Sequence, residues 1–324
     1  MLIVHAPDRP VPGMEVPVPF APRKIRAAFH DIDGTHSLIR KWVPVMTLVT
    51  GATARYGLCR STPEDIAEFL RAREGEDFSE ANRFAVESAG LSALTQMEWA
   101  IRMSRRVSGT SSPGNEAAIR AIWNGCECFE VPGETAEERA RIEAESSLLF
   151  RAYEILLRSM CRDRNLELAR QDPAGWRVPG SMEFLTRLWR SGVKNYFVTG
   201  AVVEYTPDGK PMGTMAEEIQ VLGYEVGPGK LIEAFRGSTW DKKLPKNELM
   251  RALCREYGYA SDELLIVGDG RSEIAAAVEL GAVALSRLNP DASKAREIHR
   301  ALGTNLIVDD YSPELLKEFM LEKK

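Results

Sequence analysis

The sequence predicts an α/β protein built on a doubly wound parallel sheet, with an all-helical segment inserted after the first strand of that sheet. Three observations carry this. From Val178 to Lys324 short apolar runs alternate with amphipathic helical stretches, the pattern of a Rossmann-like core with helices on both faces. Between about Arg40 and Asp172 no convincing strand occurs, while helix-start signals recur. Ahead of that block, Ile25-Arg26-Ala27-Ala28-Phe29 reads as a buried strand, which must belong to the later sheet. The expected organisation is an extended arm over residues 1–24, a core from 25–36 and 178–324, and a helical unit over 37–177.

The elements follow in order. Residues 1–22 carry Pro7, Pro10, Pro12, Pro17, Pro19 and Pro22 and predict an extended or poorly ordered arm rather than a signal peptide, since no continuous apolar core is present. After the first strand, an amphipathic stretch from about Arg40 to Tyr56 ends at Gly57. Thr62-Pro63-Glu64-Asp65 opens a helix: Thr as N-cap, Pro in the first turn and a carboxylate three residues on. Ser79-Glu80 starts another, and Leu91 to Val107 shows apolar residues at helical spacing. A short helix reaches Trp123. Thr135-Ala136-Glu137-Glu138 is a capping box that opens a long helix past Leu157, toward Arg170.

In the second half the period changes. A helix from Ser181 to Arg190 leads through Gly192 into the strand Val193 to Val198, which stops at Thr199-Gly200. A strand is expected at Leu231 to Phe235 and a helix from Lys246 to Tyr257. Leu264-Leu265-Ile266-Val267, ending at Gly268-Asp269-Gly270, has the continuous apolar character of a parallel strand buried on both faces. Helix Ser272 to Leu280, strand Ala282 to Leu285, a helix to Leu302, strand Asn305 to Val308 and a terminal helix capped by Ser312-Pro313 complete the pattern.

Composition narrows the function. The chain has 324 residues, 44% hydrophobic and 27% charged, with a formal net charge of −5. That is an ordinary globular composition, without the basic surplus that favours nucleic acid. No apolar run approaches the roughly 20 residues of a membrane span. Five scattered cysteines form no disulfide framework and suit a reducing cytoplasm.

The polar residues at strand ends are where an open α/β sheet binds ligands. They are Asp31 and Asp33 after the first strand, Thr199-Gly200 after the second, and Asp269 with Glu273 one helical turn further on. Two carboxylates two residues apart at a strand end point to the same side, and such crowding calls for a cation with oxygen ligands. Thr199 offers a hydroxyl, and the Gly200 N–H can help hold an oxyanion. Lys242, Lys243 and Lys246 lie just ahead of the Asp269 strand and can supply fixed positive charge.

In these residues the chain resembles the haloacid dehalogenase-like phosphohydrolases, matching all four motifs in order. Asp31, Asp33 and Thr35 match Asp-x-Asp-x-Thr. Thr199 matches the Ser or Thr ending a hydrophobic strand. Lys246 best matches the lysine, with Lys243 the alternative. Gly268, Asp269 and Glu273 match Gly-Asp followed by an acid. The helical insertion resembles the family's helical cap by its architecture only. The resemblance implies a nucleophilic Asp31 that forms an aspartyl-phosphate, Asp33 as general acid and base, and Thr199, Gly200 and Lys246 as phosphate-binding groups. It also implies Mg2+ held by Asp31, the Asp33 carbonyl and Asp269; Glu273, by its place one helical turn beyond Asp269, can support the same metal directly or through water. The expected activity is magnesium-dependent hydrolysis of a small phosphomonoester, of the sugar phosphate or nucleotide class. A phosphomutase on the same scaffold and a non-hydrolytic binding or regulatory protein are the alternatives. Small phosphorylated metabolites, and neither nucleic acid nor membrane, are the expected partners.

Several residues admit two readings. His36 and Ser37 follow the first motif and should face the substrate, although a surface-turn His fits equally. His30 should point the opposite way, into the core. Cys126-Glu127-Cys128 resembles half a metal site without a second pair. Arg102, Arg105 and Arg106 read as a solvated helix face, or as a site for a second substrate anion. Trp99 and Met103 read as helical core.

Overall fold

Short apolar runs become strands in the computed structural model of the chain, which describes residues 1–240 and 244–322. They are β1 (Leu2–Val4), β2 (Met14–Glu15), β3 (Arg23–Ile25), β4 (Ala27–His30), β5 (Lys194–Val202), β6 (Glu204–Tyr205), β7 (Pro211–Met212), β8 (Ala234–Ser238), β9 (Leu264–Gly268), β10 (Val283–Arg287), β11 (Leu306–Val308) and β12 (Met320–Glu322). Among the described residues the main sheet has the order β2-β11-β10-β9-β4-β5-β8. The run β11-β10-β9-β4-β5 is parallel throughout, and β2 closes one edge antiparallel.

The chain forms two compact units. The first comprises Met1–Ile39, Leu166–Gly237 and Lys246–Lys324. Alternation along its strands sends side chains to two faces. Ala28, Leu265, Val267 and Leu285 pack with Phe184, Tyr311 and Phe319 on one side. Phe29, Leu264, Ile266 and Ala284 pack with Met250, Leu253 and Ile274 on the other. Every residue of β9 is buried, as its unbroken apolar run requires.

The N-terminal arm is extended, one of the two expected states, and its strands are paired. β1 pairs antiparallel with both β3 and β12, β2 extends the main sheet, and Leu2 and Val4 are buried. The prolines separate short strands instead of preventing them. The expected first strand divides at Arg26, β3 joining the small sheet and β4 the main one. The hairpin β6–β7 and the helix Thr214–Val221 lie in a region that carried no clear period.

The second unit comprises Arg40–Asn165 and Ser238–Pro245. It contains helices Trp42–Tyr56, Pro63–Arg71, Ser79–Glu87, Ala93–Val107, Pro113–Trp123 and Ala136–Leu157. Thr62 Oγ1 accepts from Asp65 N, and Thr135 with Glu138 completes a reciprocal capping box, satisfying N–H groups that a helix start leaves open. The expected long helix is interrupted by a π-helical turn at Arg158–Arg162, beyond which helix Asp163–Gln171 begins. Leu166 and Ala169 of that helix pack with Ile32, Ile39, Leu185 and Phe197. The first unit therefore extends past 36 and starts again before 178.

Trp99 lies flat on Phe84, ring centroids 3.9 Å apart, and Met103 is buried. Arg102 is not on a solvated face: it is buried, with Nε 2.7 Å from Glu98 Oε1 and Nη1 2.9 Å from Glu134 Oε1. Arg106 pairs with Glu116, and Arg105 lies 3.6 Å from Glu145. Cys126 and Cys128 are exposed. Glu127 between them accepts from Ser92 N and Thr95 Oγ1 at the start of a helix, a structural role in place of a metal site. Among the described residues no helix is long and apolar enough to cross a membrane.

Candidate active site

The connections of the main sheet diverge between β4 and β9. From β4 the chain moves to β5 on one side; from β9 it continues to β10 and β11 on the other. Such a switch point leaves a crevice at the carboxyl ends of the two strands. Asp31 directly follows β4 and Asp269 directly follows β9. The Asp31 N–H donates to Val267 O at 2.9 Å, which fixes the start of the first-motif loop to the neighbouring strand.

The loop then turns about one carbonyl. The N–H groups of Thr35, His36 and Ser37 all donate to Ile32 O, at 3.2, 2.8 and 2.9 Å. Gly34 has φ +74°, and a Cβ there would stand 2.0 Å from Asp269 Oδ2. Only glycine fits, on both conformational and steric grounds. Thr35 Oγ1 donates to Asp269 Oδ1 at 3.2 Å. The Asp269 carboxyl is thus seated against the loop that carries Asp31 and Asp33. Asp33 lies within that loop, partly exposed.

Lys246 opens the helix Lys246–Tyr257 and is buried. Its Nζ lies 2.8 Å from Asp31 Oδ1 and also pairs with Glu273 Oε1. Glu273 reaches it by folding back over the end of β9, where a Cβ at Gly268 would stand 2.7 Å from Glu273 Cγ. Lys243, the alternative lysine, lies outside the described residues, as does Lys242. Thr199 sits inside β5 rather than at its end, but β5 pairs with β4 only as far as Phe197↔His30. Thr199 therefore lies just beyond the level at which β4 stops. Its Oγ1 accepts from Ala201 N at 3.1 Å. Gly200 follows in the same strand, half-buried.

Charge at this corner is unbalanced. Burial pushes the Asp31 carboxyl up to about 6; Lys246 opposes that shift and Glu273 adds to it. Asp269 is held well above the usual carboxylate range by burial, then by Asp31 and Glu273. For Lys246, burial disfavours the ammonium, but Asp31 and Glu273 outweigh it and raise its pKa. Among the described residues Lys246 is the lysine paired with these carboxylates, meeting Asp31 and Glu273 directly, and a divalent cation with oxygen ligands suits the negative charge that remains. Among the described residues no three His, Cys, Asp or Glu side chains converge as a ready-made metal cage. A cation here would have to use the Asp31 and Asp269 carboxylates with backbone and solvent oxygens. Glu273 is engaged with Lys246 through Oε1.

The second reading of His36 and Ser37 fails, and so does the first. His36 is neither a substrate-facing residue nor a surface turn. It is wholly buried, with its ring 5.4 Å from that of Tyr311 in a stacked arrangement, and Ser37 is 1% exposed. Three backbone N–H groups converging on Ile32 O curl the loop inward, which sends His36 beneath the sheet end. His30 is buried as expected. Arg287, at the end of β10, was not singled out from the sequence. Its Nη1 donates to Gly34 O at 3.0 Å, and the only signal for it was its position at a strand end.

No family model and no curated protein matches the chain. Among solved structures it is similar to a predicted phosphatase from Clostridium acetobutylicum, at 13% identity over 91% of this chain and 98% of that one, with a TM-score of 0.48. It is similar to β-phosphoglucomutase from Clostridium difficile, at 13% identity, 91% and 96% coverage and a TM-score of 0.47. A haloacid dehalogenase-like hydrolase from Streptococcus pneumoniae shows 14% identity, 90% and 97% coverage and a TM-score of 0.40. These are distant likenesses, and the chemistry of the site is carried by its own residues. Asp31, Lys246, Asp269 and Glu273 meet at one sheet corner.

Proposed function

We propose that the chain is a haloacid dehalogenase-like phosphoric monoester hydrolase, acting through an aspartyl-phosphate on a small phosphorylated metabolite. The observation that carries this reading is the placing of Asp31 and Asp269 at the switch point, with Lys246 against Asp31. A carboxylate that has a pKa of about 6 is mostly ionised at neutral pH and available as a nucleophile. In this reading the Asp31 carboxylate attacks phosphorus as the leaving oxygen departs. Asp33 protonates that oxygen, then takes a proton from the water that hydrolyses the acyl phosphate. The Lys246 ammonium, the Thr199 hydroxyl and the Gly200 N–H hold the phosphoryl oxygens. Glu273 holds Lys246 in place.

Asp31, the Asp33 carbonyl and Asp269 would hold Mg2+, which supplies the positive charge that lets a carboxylate approach an anionic phosphate. The sugar phosphate or nucleotide class follows from the helical insertion after the first motif and from nothing more specific. Hydrolysis of p-nitrophenyl phosphate with and without Mg2+, in wild type and in Asp31→Asn, tests the reading. Magnesium-dependent release that is lost in Asp31→Asn supports it. A wild type inert toward p-nitrophenyl phosphate and a panel of phosphorylated metabolites would overturn hydrolysis and favour a binding role.

A further inference from the structure

Beneath the first-motif loop runs a chain of buried polar side chains that the chemistry above leaves unused. Tyr224 OH lies 2.7 Å from Ser181 Oγ, and Ser181 Oγ lies 2.7 Å from His36 Nδ1. His36 Nε2 lies 3.1 Å from His30 Nδ1, and His30 Nε2 lies 3.3 Å from Asn195 Oδ1. None of these five residues is more than 2% exposed. The imidazoles are enclosed by the rings of Phe184, Phe197 and Tyr311. Buried polar groups of this kind are costly unless every one is paired.

The direction of the chain can be read from its far end. Asn195 Nδ2 donates to Leu185 O and to Leu231 O, both at 3.0 Å, so its oxygen is the atom that faces His30. An oxygen there requires a proton on His30 Nε2. In a neutral ring His30 Nδ1 is then a bare acceptor, and His36 Nε2 must donate to it. His36 Nδ1 is in turn an acceptor, and the Ser181 hydroxyl donates to it. Tyr224 OH completes the sequence by donating to Ser181 Oγ at 2.7 Å, with His36 O at 3.2 Å as a secondary acceptor of the same proton. With the protons so placed, each ring nitrogen has a partner, and reversing any one of them sets two donors or two acceptors face to face.

The two histidines flank the catalytic loop, His30 immediately before Asp31 and His36 immediately after Thr35. We infer that His30 and His36 are positioning residues: their mutual hydrogen bond, with each ring proton on Nε2, clamps the two ends of the Asp31–Thr35 loop and holds it in register with Asp269 and Lys246. A pair of leucines would fill comparable space but would leave the loop ends untied and the Asn195 oxygen buried without a donor. The kinetic consequence of the clamp rests on the proposed phosphatase reading; the proton placement and the ordering of the loop do not.

The test has three arms on the full chain. Long-range proton–nitrogen spectra of 15N-labelled wild type should show His30 and His36 both as Nε2–H tautomers; an Nδ1–H signal from either ring overturns the inference. Amide exchange at Ile32 to Ser37 should quicken about 10-fold in His36→Leu and stay near wild type in His36→Gln, whose side-chain amide can supply the same donor. Equal exchange in all three proteins overturns the clamp, whether or not the protein turns over a phosphoester. Where it does, kcat in His36→Leu should fall about 10- to 100-fold with KM little changed, and His36→Gln should recover most of it. An unchanged kcat in a folded His36→Leu overturns the inference. A wild type with both tautomers as stated and no turnover counts against the phosphatase reading alone.

Discussion

Lys246 Nζ stands 2.8 Å from Asp31 Oδ1 while the same ammonium pairs with the buried Glu273. One cation thus stabilises two carboxylates that would otherwise repel each other inside the sheet end. Replacing Lys246 by Met should cost about 3–5 kcal/mol at neutral pH, the range for breaking a buried ion pair from one side. Lys246 is also what pulls the Asp31 pKa down toward about 6, so in the variant Asp31 should take up its proton at higher pH. Protonation relieves the uncompensated charge, and the stability gap to wild type should narrow as pH falls from 8 to 5. Urea denaturation of both proteins across that range checks it. A variant as stable as wild type at pH 8 would count against the pairing.

Gly34 and Gly57 share a φ of +74° but differ in surroundings. A Cβ at Gly34 meets Asp269 Oδ2, whereas one at Gly57 meets nothing within 4 Å. Gly57→Ala should cost only the backbone strain, about 1–3 kcal/mol in a φ/ψ region that is essentially glycine's alone. Gly34→Ala adds a steric clash to its backbone strain and should also displace the Asp269 carboxyl. Titration calorimetry with Mg2+ should then show weakened binding for Gly34→Ala alone.

His299 is buried, with Nδ1 2.8 Å from Ser286 Oγ, and burial lowers its pKa to about 4. The unfolded chain, with an ordinary value near 6.5, binds more protons between those limits. This histidine therefore contributes stability that is fully present above about pH 6.5 and is lost as pH falls toward 4. Removing it in His299→Asn should flatten the stability curve by up to about 1.4 kcal/mol per pH unit in that window. Parallel curves for wild type and variant would contradict the assignment.

In the helical unit Arg102 joins Glu98 and Glu134. Arg102→Met alone should destabilise by up to about 3–5 kcal/mol, because it removes the buried cation on which the Glu98 and Glu134 carboxylates converge. Adding Glu98→Leu and Glu134→Leu should recover most of that loss, which thermal denaturation can measure.

The parts of the fold that were legible in the sequence are those where one local pattern acts alone. The run Leu264–Val267 and the capping box at Thr135 needed no distant partner to declare themselves. β1 and β2 were hidden because a two- or three-residue strand is defined by its neighbours β12, β3 and β11, not by its own period. The site divides in the same way. Asp31 and Asp269 are legible because each directly follows a buried apolar strand, whereas Lys246 is one of three lysines ahead of β9 and is singled out only by the resemblance to haloacid dehalogenase-like proteins. His36 was misplaced because its direction depends on three N–H groups closing on Ile32 O, a backbone geometry with no sequence signature. Arg102 looked solvated by helical spacing; its burial follows from Glu134, thirty-two residues away.

In the proposed reaction Asp31 becomes phosphorylated during turnover. Quenching the enzyme in acid during steady-state hydrolysis, reducing with borohydride and sequencing the peptides by mass spectrometry tests this directly, because an aspartyl-phosphate is converted to homoserine. Homoserine is expected at position 31, dependent on both phosphoester and Mg2+. Continued phosphate release with Asp31 unmodified, or undiminished release by Asp31→Asn, would contradict it.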